Sequence, residues 1–416
     1  MEGAAGTARH RHLPSLDVQT GELPPTMAAW VLRAEREGEL DGAYEIEEVE
    51  TPEPGAFEVV VRVMAAGVNY NSLWAARGKP ISVFRYGDHP RWGHHIAGSD
   101  ASGIVWKVGA GVTRWKPGDE VVLHANQASY EDPEVHGLDP LAAPSQLGWG
   151  YQTTWGSFAE FCKVQAQQLL PKPPALSWVD CSSYGVTLFT AYRMLISQCD
   201  LQAGQNVLIW GGAGGLGVFA VQLCEAAGAH ALGVVSSEEK GALVEELGGV
   251  GFIDRREFGG LAAEDDRDRH TATRAFAKRV KEILGDAPDI VFEHVGREAL
   301  GASVFTVKPF GKVVTCGATS GYIVDFDVRY LWMRQKRIIG SHAANAYECW
   351  RANDLVAQGR IRPVLWRALA FEELPEAHRL MDENRHLGKI AIRVGARDDV
   401  DGRSQPGPSA IWAGAA

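Results

Sequence analysis

The 416-residue chain has no closely spaced cysteines, no long apolar run and no excess of positive charge. Its cysteines stand singly at Cys162, Cys181, Cys199, Cys224, Cys316 and Cys349, and no two have the C-x-x-C spacing of a structural zinc site. Neither structural zinc nor a disulfide framework is expected. The opening "MEGAAGTARHRHLPS" lacks the apolar core of roughly 7 to 15 residues that a secretory signal carries. No apolar run approaches the roughly 20 residues of a membrane helix. A formal net charge of -11 argues against a basic face for nucleic acid. These absences lead to the expectation of a reduced, cytoplasmic protein that acts on small molecules and partners neither nucleic acid nor membrane.

What is present is enough hydrophobic residue, 45% of the chain, to build more than one core, and the length exceeds what one core usually supports. Residues 1–25 and 396–416 are small, polar and proline-containing, and read as flexible tails. From 26 to 182 short β-branched runs such as "EVVVRVMAAGV" and "DASGIVWKVG" alternate with turns, as in a mostly antiparallel β domain. Between 183 and 342 strands alternate with helices, the pattern of a doubly wound α/β fold with a parallel sheet. "KRIIGSHAAN" reads as the last strand of that sheet, so residues 343–395 are expected to return to the first domain.

Within "NVLIWGGAGGLGVFAVQ", Gly212, Gly214 and Gly217 satisfy G-x-G-x-x-G, with Gly215 among them, directly after a strand and before a helix. The first glycine turns the chain, the second admits a pyrophosphate, and the third lets helix and strand pack closely. The helix N-terminus adds free amides and positive dipole. Where NAD sites place an acid at the end of the second strand, this chain has Ser236 and Ser237, with Lys240 a turn later and Arg255 after the third strand. Two hydroxyls and two cations suit a 2'-phosphate, which favours NADPH. Glu238 and Glu239 weigh against that unless they face solvent, and Lys240 is equally readable as a solvated helix residue.

A β domain followed by a nucleotide fold to which the chain's end returns resembles the medium-chain dehydrogenase/reductase superfamily. Its zinc alcohol dehydrogenases carry a cysteine after "GV" and a Gly-His-Glu triplet; here Asn69 follows in "GVNYNS", and Ser99-Asp100 replaces His-Glu in "GSDASG". The resemblance therefore implies a zinc-independent reductase with a GroES-like catalytic domain. Without a Lewis acid, hydride addition to a conjugated double bond is easier to support than alcohol oxidation, because the charge is spread as an enolate. A 2-enoyl thioester and a quinone both fit.

The motifs "VNYNSLW", "HIAGSDASGIV", "WGYQTTWGSFAEF", "DIVFEHVGRE", "TSGYIVDFDVRYLWMRQKRIIGSHAAN" and "HLGKIAI" resemble the crotonyl-CoA carboxylase/reductase family. That resemblance implies NADPH-dependent reduction of a 2-enoyl-CoA with capture of the enolate by CO2, giving an alkylmalonyl-CoA for central metabolism or polyketide extender supply. It also implies a homodimer or homotetramer, with the sheet edge after "KRIIG" as the pairing surface. The family's CO2 pocket of asparagine, phenylalanine, glutamate and histidine falls on Asn71, Tyr151, Gln152 and His342. Its CoA-nucleotide positions fall on Arg329 and Tyr330, although "RYLWMRQKR" by itself also reads as a basic surface helix.

Two of the four pocket positions are thus changed. Gln152 keeps the length of a glutamate without its charge, and Tyr151 adds a hydroxyl to a wall that should stay dry. A wetter chamber favours protonating the enolate, so simple enoyl-thioester reduction stands as the alternative. A nucleotide-binding regulatory protein without turnover is a third reading, opposed by the retention of both cofactor and acyl motifs. Glu293 and His294, at a strand end, are given cofactor-edge or structural roles, with structure favoured.

Overall fold

The computed structural model describes residues 20–86 and 92–396; apart from residues 20–25 and 396, the expected tails lie outside the described residues. The β-branched runs form β1 (Thr26–Leu32), β2 (Tyr44–Glu50), β3 (Glu58–Gly67), β4 (His95–Ile96), β5 (Asp100–Val108), β6 (Glu120–Leu123), β7 (Asn126–Gln127), β8 (Leu147–Gly148), β9 (Phe161–Gln165) and β10 (Leu169–Pro171). These strands pair antiparallel. Strand β3 is held by β5 on one side and β9 on the other, so Val59, Val60, Val61 and Val63 are all fully buried. Helix α1 (Tyr70–Ala76) leaves the end of β3 almost at once.

The second half follows the alternation read from the sequence. Helix α2 (Gly185–Tyr192) leads into β11 (Asn206–Trp210), and α3 (Gly217–Ala227), β12 (His230–Val235), α4 (Glu238–Glu246) and β13 (Gly251–Asp254) follow. Then come α5 (Asp266–Leu284), β14 (Ile290–Glu293), α6 (Leu300–Thr306), β15 (Lys312–Thr315), α7 (Arg329–Trp332) and β16 (Arg337–Gly340). The six strands are parallel in the order β13-β12-β11-β14-β15-β16.

Helices cover both faces of this sheet, which is why the inner strands read as nearly continuous apolar runs. One face packs Ile209 and Phe292 against Leu188 and Phe219, and the other packs Leu208 and Val291 against Phe276 and Val304. Local signals set the helix ends: Ser237 caps α4, Asp265 caps α5, and left-handed Gly228 and Gly285 stop α3 and α5.

After β16, helix α8 (Ala346–Ala357) still packs on the second domain through Cys349, Ala352 and Val356. The chain then rejoins the first sheet as β17 (Leu365–Leu369), α9 (Leu374–Asp382) and β18 (Lys389–Arg393). Strand β18 pairs antiparallel with β3 and parallel with β17, giving the path β10-β6-β5-β3-β18-β17. Strand order in the parallel sheet reverses between β11 and β14, and ligands of such sheets bind at the carboxyl ends of the strands beside that reversal. Here that crevice is closed from one side by the residues just before β18. Gly388 forms a parallel bridge with Gly214, and its N–H donates to Ala213 O at 2.8 Å. Among the described residues, no helix is long and apolar enough to cross a membrane.

Candidate active site at the domain junction

The glycine loop turns out of β11 at Gly211, whose φ of 64° is left-handed. A Cβ on Gly217 would fall 2.2 Å from Gly211 O and 2.7 Å from Gly212 Cα, so only glycine lets α3 start this close to the strand. The loop therefore presents backbone, without side chains, to anything that lies across Gly212, Gly214 and Gly215. Thr187, on α2, lies beside Gly215, and its buried hydroxyl has no hydrogen-bond partner among the described residues. Nothing in its sequence context singled it out.

At the end of β12, the Ser237 hydroxyl accepts from Lys240 N at 3.3 Å and so serves as the cap of α4, while Ser236 remains half-buried beside it. Lys240 is no freely solvated helix residue. Its Nζ reaches across to the segment before β18 and donates to Asn384 O at 2.9 Å and Asn384 Oδ1 at 3.1 Å. Burial and then the nearby Arg255 guanidinium lower its pKa. Glu238 and Glu239 are exposed, which removes most of their objection to a phosphate here. His386 is buried in the same region with an unpartnered Nδ1; burial and then the charges of Lys240 and Lys389 push its pKa down to about 4. Two cations and a side-chain-free loop suit the phosphates of a phosphorylated dinucleotide. Neither His386 nor Asn384 stood out in the sequence.

Below the loop, Lys389 is enclosed. Its Nζ donates to Val68 O at 3.0 Å and to Asp100 Oδ2 at 3.2 Å, and also to Asn69 Oδ1. Asn69 Nδ2 donates back to Asp100 Oδ2 at 2.9 Å, and Val186 N donates to Asp100 Oδ1 at 2.5 Å. Lysine and aspartate side chains are only 1% and 0% exposed, so every polar contact here is made in the dry interior. Burial lowers the Lys389 pKa, and Asp100 opposes that shift. Of the positions equivalent to zinc-enzyme residues, Asn69 and Asp100 are therefore engaged by an ammonium whose hydrogen bonds are complete.

Asn71, on the first turn of α1, donates from Nδ2 to Ser99 Oγ at 2.7 Å, and its Oδ1 is buried without a partner. Ser99 in turn donates to Trp149 O at 2.7 Å, which ties Asn71 to the stretch "LGWGYQTTWGSFAEF". Trp149 and Trp155 belong to the packing of that stretch. Trp149 is fully buried with Nε1 on Trp155 O at 3.0 Å, and Trp155 meets Trp92 edge-on at 5.1 Å between ring centres. The Tyr151 ring packs on the first-domain core, and its hydroxyl donates to Lys79 O at 2.6 Å. Burial, followed by the neighbouring Tyr86 and Tyr322, raises its pKa. Gln152 Oε1 accepts from Gly148 N at 2.9 Å, an acceptor role that a glutamate would also fill.

His342 stands apart from these three. It follows the edge strand β16 and lines a hollow of about 430 Å³ with Asp139, Leu141, Ala142, Arg193, Gln198, Gly340 and Ser341. Packing and then the Arg193 guanidinium hold its pKa below the usual histidine range. Arg193 itself grips Glu348 at 3.0 and 2.9 Å and Asp139 at 2.7 Å. Arg329 spends its guanidinium on Asp327, at 2.7 to 3.1 Å, and Tyr330 packs edge-on against Phe305 at 4.7 Å. Both sit on the flank of the parallel sheet covered by α5 and α6. Glu293 takes the structural role: it accepts from Val295 N and Gly296 N, both at 2.7 Å, and from the Thr315 hydroxyl at 3.0 Å. His294 Nε2 faces Trp210 O at 3.0 Å and backs the turn at Gly211.

A parallel nucleotide-binding sheet, a glycine loop at its switch point and an antiparallel β domain completed by the chain's end define a medium-chain dehydrogenase/reductase, with a Rossmann domain and a GroES-like domain. Residues 55–174 match the alcohol dehydrogenase GroES-like domain and residues 215–358 the zinc-binding dehydrogenase domain. The chain is 47% identical over 387 residues to a crotonyl-CoA carboxylase/reductase of Cereibacter sphaeroides, covering 90% of this chain and 89% of that protein. It is 42% identical to a crotonyl-CoA reductase of Streptomyces avermitilis, covering 83% and 81%. The structure of the 2-octenoyl-CoA carboxylase reductase CinF in complex with NADP and 2-octenoyl-CoA superposes with a TM-score of 0.87 at 38% identity, covering 93% and 94%. The chain belongs to the crotonyl-CoA carboxylase/reductase family of oxidoreductases.

The buried ion pair gives a direct test. Lys389→Met leaves Asp100 charged in the interior and should lower unfolding stability by about 3–5 kcal/mol in urea titrations. Adding Asp100→Asn, which removes the stranded charge, should recover part of that loss.

Proposed function

We propose that this protein reduces a 2-enoyl-CoA with NADPH and captures the resulting enolate with CO2, giving an alkylmalonyl-CoA. Bound NADPH supplies a hydride to the β-carbon of the enoyl thioester. The α-carbon of the enolate then forms a bond to the carbon of CO2, whose electrons move onto oxygen as a carboxylate, so no further reductant or proton is consumed. The chain's own residues decide what meets that α-carbon. The reading rests most on Asn71: a half-buried amide held by one hydrogen, with its buried oxygen unpaired among the described residues and its second N–H available for a CO2 oxygen or the new carboxylate.

Two changed positions bear on the choice between CO2 and a proton. The Tyr151 hydroxyl spends its proton on Lys79 O, which leaves it only an acceptor, and its ring packs on the first-domain core. Gln152 keeps the acceptor contact to Gly148 and turns an N–H2 group where a carboxylate would carry its second oxygen. His342, after the edge strand of the parallel sheet, is assigned the remaining donor role.

The cofactor reading places the pyrophosphate on Gly212, Gly214, Gly215 and Gly217, and the 2'-phosphate among Ser236, Ser237, Lys240 and Arg255. Arg329 and Tyr330 are assigned to the CoA nucleotide, which requires Arg329 to exchange Asp327 for phosphate. Two copies associate through β16, an edge strand flanked by the exposed apolar side chains of Phe310, Trp332, Met333 and Ile338.

Incubation with NADPH, crotonyl-CoA and labelled bicarbonate should yield labelled ethylmalonyl-CoA by mass spectrometry; butyryl-CoA alone at saturating bicarbonate, with crotonyl-CoA and with longer enoyl-CoAs, would defeat the carboxylation reading. Gln152→Glu should change the carboxylated fraction by less than about twofold, given that the retained contact is the acceptor one. Lys240→Ala should raise KM for NADPH by about tenfold while leaving KM for NADH nearly unchanged, since a charge-assisted phosphate contact is lost. Ile338→Glu should halve the mass seen in sedimentation velocity.

A further inference from the structure

We infer that Ser99 is a positioning residue that fixes which edge of the Asn71 amide faces the reacting carbon. This rests on the reading of Asn71 given above and goes beyond it. A serine hydroxyl has one proton, and here that proton is spent on Trp149 O at 2.7 Å. What Ser99 offers Asn71 is therefore a lone pair, and only the N–H2 side of the amide can answer it, as the 2.7 Å contact from Nδ2 records. Rotating the amide by half a turn would set oxygen against oxygen. The orphaned Oδ1 and the remaining N–H of Asn71 are consequently presented with fixed polarity.

The anchor on which this depends is rigid. Trp149 is fully buried; its N donates to Ala125 O at 2.7 Å and its Nε1 to Trp155 O at 3.0 Å. The next residue is Gly150 at a φ of 72°, and a Cβ there would fall 2.1 Å from Gly98 O, so this loop lies directly on the residue preceding Ser99. Gln152 is registered by the same loop, through its oxygen on Gly148 N at 2.9 Å. One loop backbone thus sets the orientation of two primary amides. Ser99 is also 1% exposed, so no water competes for its hydroxyl. The serine that stands where zinc dehydrogenases carry a ligand histidine is thereby given a function of its own: relaying the fixed carbonyl of Trp149 to the amide of Asn71.

The test compares Ser99→Ala, Ser99→Thr and the unaltered full-length protein. With the relay removed, the alanine variant should show KM for CO2 raised by about fivefold to tenfold, the worth of one buried hydrogen bond, with a matching rise in the butyryl-CoA to ethylmalonyl-CoA ratio at subsaturating bicarbonate. KM for NADPH should stay within about twofold, and saturating bicarbonate should restore the product ratio, because an orientation penalty on a single hydrogen bond is a finite one. The threonine variant, which keeps the hydroxyl, should recover the ratio. An alanine variant whose product ratio and KM for CO2 equal those of the parent, or whose kcat falls equally with and without bicarbonate, overturns the inference. If Ser99→Ala does not fold, Ser99→Cys, a weaker donor and acceptor at the same place, carries the kinetic arm and should give a ratio between those of the parent and of a lost relay, a parent-like ratio overturning the inference.

A crystal structure of the alanine variant separates this inference from the function it rests on. An Asn71 amide found rotated or in two orientations supports the positioning role even if the parent makes no carboxylated product, which would defeat the carboxylation reading alone. An amide that keeps its orientation without Ser99 Oγ overturns the positioning role whatever the products are.

Discussion

The buried pair of Lys389 and Asp100 is the contact on which the rest of the site is assembled. Asp100 opens β5, Lys389 opens β18, Asn69 immediately precedes α1, and Val186 lies in the first turn of α2, so four elements from distant parts of the chain converge on one charge and its counter-charge. An ammonium taken out of water costs several kcal/mol unless its donors are answered, and each of the three Lys389 donors has an oxygen. That requirement leaves little freedom in where the first turn of α1 sits. Asn71 inherits its place from it, two residues beyond Asn69. Gly388, one residue before Lys389, inherits a place against Ala213 and Gly214, so the same pair brings the dinucleotide loop and the catalytic domain into register.

Seen from that pair, the loss of metal ligands changes character. In a zinc enzyme the residues at positions 69, 99 and 100 would answer to a divalent ion. Here Asn69 and Asp100 answer to Lys389, while Ser99 links Asn71 to Trp149. Positive charge and directional hydrogen bonding are both retained, but they are divided between separate groups. A metal ion would polarise a substrate oxygen directly. A buried ammonium with three protein partners fixes geometry and has no donor left over for a substrate oxygen.

The substitutions in the 147–161 stretch show how local packing can neutralise an alarming change. A tyrosine in a dry wall and a glutamine for a glutamate both look disruptive when only residue type is considered. The tyrosine proton goes to Lys79 O, and the glutamine oxygen keeps the contact to Gly148 N that a glutamate would make, so the change at 152 is confined to its N–H2 group. Two other positions read as binding residues have partners of their own within the protein: Arg329 holds Asp327, and Ser237 caps α4. A ligand at those points must compete with contacts already made.

The sequence alone determined the alternation of strands and helices, the glycine loop and the metal-ligand positions that are empty of cysteine and histidine, because each is a local pattern of residue type and spacing. It also carried the family resemblance, since long motifs such as "RYLWMRQKRIIGSHAAN" are linear. Only the tertiary structure decided what Lys389, His386, Asn384, Thr187 and Ser99 do. Their partners lie in distant parts of the chain or, for the unanswered atoms of His386 and Thr187, are not found among the described residues; for Lys389 the separation from Asn69 is 320 residues. Lys389 sits in a motif as unassuming as "HLGKIAI", and nothing in that string tells a solvated lysine from a buried one. Hydrogen-bond direction is settled only when donor, acceptor and their neighbours are all in place, which is why the polarity of the Asn71 amide belongs to the fold and not to any stretch of sequence.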